Sequence, residues 1–546
     1  MKILIGIAWT YANGHMHIGH FSSYLSGDVI ARYHRAKGDE VYMVSGSDCH
    51  GTPVAIKARQ EGKTPEEVSD FYHAEFTDCF NKLGFSYDMY GKTSSDGHKD
   101  FVSDFHKTMY DSNLIYEKIT PQAYCVSCGE FLADRFVVGI CPECGERARG
   151  DQCDACGRVL EPETLKEPRC GVCGGAPEFR DTKHLFIAIS KLESKLTEYI
   201  AARPHWRKNA VAFSKKYIDE GLRDRAVTRD LKWGIAVPRD GYDGKSIYIW
   251  AENVLGYLLM SYLAAKERGA SFAELWGDTD ARHYYAHGKD NIPFHTIILP
   301  SLMMANSDAS GKYWRMPDEI ISNEFMTLEG RRISTSHNWA VWMPDIVDKY
   351  DPDSLRYFFI ANGPERRDTD FSWREYVNSH NGELLGAYGN FVNRTLAFIY
   401  KYFGAAVPEG VLNGEIGEKI AALYPETGTL IESGRFKEAL DSIFEFVRYG
   451  NKYFDTEQPW KTRTEDIRAC DRTLFNCVQM IANFSVLLEP FLPFSSDKTR
   501  NWLGLEKPSW KPVSVPAGSV IPNPEILFTR LDKKIVEEET AAIGRG

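Results

Sequence analysis

The chain has 546 residues, 43% of them hydrophobic and 26% charged, with a formal net charge of -11. That length exceeds one hydrophobic core and implies about three or four domains, while the ordinary composition excludes disordered, collagen-like and coiled-coil classes. The acidic balance does not point to nucleic-acid binding, since a mainly non-specific binder is usually basic, but it leaves room for an enzyme carrying a local basic track. No apolar run approaches the roughly 18 to 20 residues of a membrane helix, so a soluble cytoplasmic protein with no membrane partner is expected.

From the N-terminus, short β-rich runs alternate with amphipathic helical stretches: a strand at 3–7, a helix at 22–35, a strand at 41–45, a helix at 65–83 and a strand at 89–93. This alternation predicts a doubly wound, parallel α/β sheet of Rossmann type, in which ligands bind outside the carboxyl ends of strands. Two runs fall at that edge, Tyr11-Ala-Asn-Gly-His-Met-His-Ile-Gly-His20 and the turn Ser47-Asp48-Cys49-His50-Gly51. In the first, Gly14 and Gly19 let backbone approach a ligand, and the following helix N-terminus attracts phosphate. His17 and His20 can then donate to phosphate oxygens, which suggests an ATP site. Taken alone, the run also reads as a surface histidine cluster or a chance zinc pair.

The alternation breaks at about Pro121, where eight of the twelve cysteines form four pairs: Cys125/Cys128, Cys141/Cys144, Cys153/Cys156 and Cys170/Cys173. A glycine follows each pair, and such tandem turns predict two closed, structural zinc sites with the pairing left open. Strand and helix character returns after Pro238, with a strand at 246–250, a helix through Leu263, a strand at 283–286, a helix at 293–304 and a strand at 319–326. After Ser354 the apolar period is helical, as in Leu384, Tyr388, Phe391, Val392, Leu396 and Ile399, and an all-α bundle is expected. Residues 537–546 read as a frayed tail.

The His17-Ile-Gly-His20 run resembles the HIGH signature of class I aminoacyl-tRNA synthetases, and Tyr11, Asn13 and Gly14 narrow the likeness to the methionyl-tRNA synthetase family. Arg332-Ile-Ser-Thr-Ser336 is similar to that family's KMSKS loop, with Arg332, Ser334, Thr335 and Ser336 in its positions. The resemblance covers nearly the whole chain and implies that ATP, with Mg2+, activates methionine for transfer to tRNA(Met). It assigns Gly288 and Asp290 to the ribose, with Gly19 beside the two histidines at the phosphates. Trp9, Tyr11, Asp48, Trp250, Asn253, Tyr257 and His295 go to the amino acid, with Asp48 facing its ammonium and Tyr257 its sulfur. Asn390, Arg394 and Trp460 match the anticodon-reading positions, chemistry that suits unstacked bases. Relatives with four cysteine pairs imply that the inner two pairs close one zinc site and the outer two the other.

The implied domains are 1–120 and 236–325 for the two halves of the catalytic fold, 121–235 for the inserted zinc knuckles, 326–378 for the loop and stem-contact region and 379–546 for the anticodon-binding bundle. A monomer is expected. Trp9, Asn253, Leu299 and Thr335 depart from the family pattern. A bulkier Trp9 narrows a thioether slot, and a buried Asn253 amide needs a hydrogen-bonding partner that methionine does not offer. The rival reading is a paralogue that adenylates a different amino acid for an ester, amide or N–N bond; a non-catalytic tRNA-binding protein is a second.

Overall fold

A computed structural model describes residues 1–150, 153, 160–277 and 280–545. Its centre is a parallel sheet of β1 (Lys2–Ile7), β2 (Thr10–Tyr11), β3 (Glu40–Asp48), β4 (Met89–Lys92), β5 (Ala281–Gly288) and β6 (Glu319–Asn323). The order is β6, β5, β1, β3, with β2 and β4 also pairing β3. Ile3, Leu4, Ile5 and Ile7 are fully buried, the continuous apolar run expected of a strand covered on both faces. The chain builds outward from β1 to β3 and β4, then returns to the other side of β1 as β5. The crevice at that switch point, beyond the carboxyl ends of β1 and β5, is where the cavity lies.

Helix α1 (Ile18–Lys37) begins four residues earlier than the sequence reading placed it, with His17 as its N-cap. The cap consists of two histidine side chains rather than the usual Ser, Thr, Asp or Asn, so the ordinary start signal is absent. Two expected strands are also shorter. The 246–250 segment is a strand only over Ser246–Ile247, then winds into tight turns at Ile249–Ala251 and Asn253–Leu255 before the helix Gly256–Glu267. The 319–326 strand stops at Asn323, because Glu324 N–H turns to Pro364 O (2.7 Å) and Phe325 N–H to Asp368 Oδ1 (2.9 Å). Met326–Leu328 then joins a separate small sheet with Arg331–Arg332 and Thr369–Phe371.

A long antiparallel ribbon, Ile115–Cys125 against Glu178–Ile187, leaves the sheet and carries the cysteines at its end. The C-terminal region is helical, with Phe391, Val392, Leu396, Ile399, Ile443 and Val447 buried in its core. Arg356, fully buried, joins this bundle to the half that carries the parallel sheet: it donates to Asp28 Oδ2 on α1 (2.6 Å) and to the carbonyls of Leu83, Pro490 and Phe491. Burial alone would raise the Asp28 carboxyl, but Arg32 and Arg356 hold it below its ordinary range. Removing one partner of such a pair costs about 3–5 kcal/mol.

The terminal segment is not frayed. Lys534–Ala542 is a helix whose Glu539 accepts from the Tyr350 hydroxyl (2.8 Å) and pairs with Lys349 (3.2 Å). Beyond it, Gly544 N–H donates to Asn338 O (3.2 Å) and Asn338 Nδ2 donates to Arg545 O (3.3 Å). These contacts are with residues far away in sequence, which no local pattern announces.

Candidate active site

A cavity of about 870 Å³ collects His17, Gly19, His20, Gly288, Asp290, Arg332 and Thr335 on one side and Trp9, Tyr11, Trp250, Asn253, Tyr257 and His295 on the other. His17 Nδ1 accepts from Gly19 N–H (3.1 Å), and His20 Nδ1 accepts from His17 N–H (3.2 Å). The two rings stack with centroids 3.9 Å apart. Burial depresses His17 well below its ordinary range, with the neighbouring His20 adding to the effect, and burial takes His20 to about 4. Both rings are therefore neutral at pH 7, and since each Nδ1 is an acceptor, each proton sits on Nε2. The capping geometry thus leaves each ring an Nε2–H donor. Gly19 is required here because a Cβ would lie 2.9 Å from the His17 ring.

The second signature segment is pinned to the first. Ile18 N–H donates to Val341 O (3.1 Å), Met343 N–H to Met16 O (2.7 Å), and a Cβ at Gly19 would come 3.5 Å from the Ile333 side chain. The loop closes on itself through paired Ser334 and Trp339 backbone bonds (both 2.9 Å), and Asn338 adopts a left-handed conformation. Ser334 Oγ bonds His337 Nδ1 (2.9 Å) and Arg331 stacks on Trp339 (4.8 Å), so neither His337 nor Arg331 is a loose cation. Arg332 lines the cavity; the Ser336 side chain lies outside the described atoms.

On the other side of the cavity, His295 donates from Nδ1 to Asn291 O (2.9 Å), and burial takes its pKa to about 4. Its neutral Nε2 must then accept from the Tyr257 hydroxyl (2.9 Å). Tyr257 therefore presents only lone pairs to a ligand. Trp250 stands edge-on to Phe294 (4.9 Å). Trp9 does not simply fill the slot: a Cβ at Gly46 or Gly256 would collide with its six-membered ring, so two glycines make room for the indole. Leu299 is fully buried, in the same hydrophobic cluster as Trp9 and Tyr257.

Asp48 is the exception among the expected contacts. It is fully buried and is not one of the described residues that line the cavity. Its Oδ2 accepts from Asn253 Nδ2 (3.0 Å), the partner that the sequence reading found missing for this amide. Burial, helped by the charge of Glu252, pushes the Asp48 carboxyl well above its usual range. The cavity also takes in Lys57, Gln60, Asn291 and Trp342, which the sequence reading did not single out; only the position of Asn291 next to Asp290 hinted at a role.

The sequence matches the family model for class I tRNA synthetases (M) over residues 3–396 and the anticodon binding domain of methionyl tRNA ligase over residues 407–544. The chain belongs to the methionyl-tRNA synthetase family. It is 50% identical to "Methionine--tRNA ligase" of Bacillus mycoides over 99% of its own length and 98% of that protein. It is also 50% identical to "Methionine--tRNA ligase 1" of Alkaliphilus oremlandii, with all of both chains covered. A Mycobacterium tuberculosis methionyl-tRNA synthetase solved with methionyl-adenylate shares the fold, with a TM-score of 0.80 at 22% identity over 97% of this chain and 100% of that one.

Two further regions of this synthetase stand apart from the cavity. Cys125, Cys128, Cys170 and Cys173 bring their sulfurs within 4.8 Å of one another, and so do Cys141, Cys144 and Cys153; Cys156 lies outside the described residues. Gly129, Gly145 and Gly174 take φ values of 68°, 78° and 74°, and each N–H bonds the carbonyl of the first cysteine of its pair. That left-handed turn is what the glycine after each pair is for. In the bundle, Arg394 pairs with Asp455 (2.7 Å) and lies over Phe454 (4.3 Å), whose ring is 6.0 Å from that of Trp460. Trp460 is 46% exposed, and Asn390 is exposed one helical turn before Arg394.

Proposed function

We infer that this chain is a methionine–tRNA ligase: methionine's carboxylate attacks the α-phosphorus of ATP, pyrophosphate leaves, and the terminal ribose hydroxyl of tRNA(Met) then attacks the acyl carbon of the adenylate, breaking the acyl–phosphate bond and releasing AMP. The observation that carries this reading is the single cavity on which both signatures and the Trp250, Tyr257 and His295 wall converge. His17 and His20 donate to the phosphates, and Arg332 meets charge developing on the leaving pyrophosphate. Gly288 and Asp290 hold the ribose, Trp250 and Tyr257 flank the thioether, and Tyr11 closes over the bound amino acid. Mg2+ bound to the triphosphate would offset the charge that develops on the leaving pyrophosphate.

The four sulfurs of Cys125, Cys128, Cys170 and Cys173 fit a closed tetrahedral zinc site with no open position, a structural role; Cys141, Cys144 and Cys153 fit a second, with Cys156 completing it. Asn390, Arg394 and Trp460 read the anticodon, Trp460 offering an exposed ring to an unstacked base. Pyrophosphate exchange with each amino acid, followed by charging of tRNA(Met), tests the reading. Exchange on methionine alone, charging, and about two zinc per chain are expected. Trp460→Ala is expected to cut charging about tenfold or more while leaving exchange intact. Exchange on another amino acid only, or none, would overturn the inference.

A further inference from the structure

The chain carries a net charge of -11, and an RNA backbone is drawn to such a protein only where cations gather without being cancelled by its own carboxylates. One such group sits in the bundle where two helices meet. The helix Asn390–Tyr402 presents Arg394, Phe398 and Tyr402 at steps of four, and the short helix Pro459–Glu465 presents Trp460 and Arg463 three residues apart. Arg394 is already engaged, pairing with Asp455 (2.7 Å) and donating to Asn451 O (2.8 Å). Arg463 and Lys401 form no ion pair among the described residues. Both lie instead over the Tyr402 ring, Arg463 at 4.3 Å and Lys401 at 5.0 Å from its centroid. That ring is 41% exposed and is braced by the ring of Phe398 (4.8 Å).

The ligand that suits this group follows from its chemistry. Two cations with no acceptor of their own call for a group that only accepts, and a guanidinium held over a ring is oriented before any ligand arrives. Its planar fork matches two oxygens of a phosphate, and the ammonium beside it adds a point charge. Tyr402 is eight residues beyond Arg394, about 12 Å along the helix, so the cations stand beside the triplet-reading positions and not within them. We propose that Arg463 and Lys401, mounted on Tyr402, bind a backbone phosphate of the tRNA anticodon arm next to the triplet read by Asn390, Arg394 and Trp460. This rests on the anticodon-reading assignment and extends it from bases to backbone. A phosphate contact carries no sequence information, so it adds affinity for any tRNA arm and no preference for CAU.

The test measures binding of the full chain to two transcripts, tRNA(Met) and the same RNA with its CAU anticodon changed to GAC, over a series of salt concentrations. Arg463→Ala is expected to weaken both by the same factor, about tenfold, and to lower the slope of log affinity against log salt by about one. Pyrophosphate exchange should be unchanged, which shows that the fold is intact. Arg463→Lys keeps the charge but loses the fork, so it should restore the slope and only part of the affinity. Trp460→Ala reports separately on the underlying reading, since it should erase the preference for CAU. Unchanged binding of both RNAs in Arg463→Ala would assign these cations to a partner other than tRNA. A loss confined to the CAU transcript would make Arg463 a base reader, and a uniform loss with an unchanged slope would make it a packing residue; each of these results overturns the proposal.

Discussion

The turn at His17 and the loop at Arg332 face the same cavity, yet their construction differs. The histidines are half-buried, capped by backbone N–H groups, stacked on each other and held neutral by burial. Arg332 is exposed on a two-residue strand and is held through its neighbours by the Ser334 to Trp339 closure. The first segment supplies fixed, uncharged donors whose directions are set before any ligand arrives. The second supplies a permanent charge whose reach depends on a small closed loop. Orientation and charge are thus divided between two segments, and losing either should show a different kinetic signature.

The largest effect is expected from His20→Ala, which removes both a phosphate donor and the group that accepts His17 N–H. The rate of methionyl-adenylate formation should fall about a thousandfold in single turnover. A loss below tenfold would mean that the histidine pair is structural only. Arg332→Ala is expected to lower the same rate about a hundredfold with KM for methionine unchanged. Thr335→Lys restores the cation that the loop lacks and should raise the rate about tenfold; no gain would show that one guanidinium suffices.

The smallest effect is one of pH. His17 and His20 are already neutral, so adenylate formation should run flat from pH 8 to 6, whereas a break near 6.5 would contradict the caged geometry. Stability follows the same shifts. Burial takes His20, His106, His283 and His295 to about 4 and His98 to about 3, all below the unfolded value of 6.5. Between pH 6.5 and 4 the unfolded chain therefore binds protons that the folded chain refuses. The stability held above pH 6.5 is lost progressively as pH falls to 4, and Tm against pH should show that slope.

Local patterns made the sheet, the helical bundle, the cysteine turns and the two signature segments legible in the sequence. Each rests on a short-range period or spacing, as in the apolar run before Tyr11 or the glycine after each cysteine pair. What escaped depends on residues that meet only through folding. Asn253 looked like an unsatisfied polar group because Asp48 lies far from it along the chain. Trp9 looked oversized because the space it uses is the missing Cβ atoms of Gly46 and Gly256. The helix began at Ile18 because two histidines cap each other, a solution outside the usual start signals.

The contact of Gly544 and Arg545 with Asn338 bears on how this enzyme can be handled. A dye attached at Arg545 sits beside the loop that carries Arg332, close enough to report on a ligand bound there and bulky enough to hinder it. Labels intended to be silent belong at Met1, whose ammonium pairs with Asp39 on the far side of the sheet's ligand-binding edge.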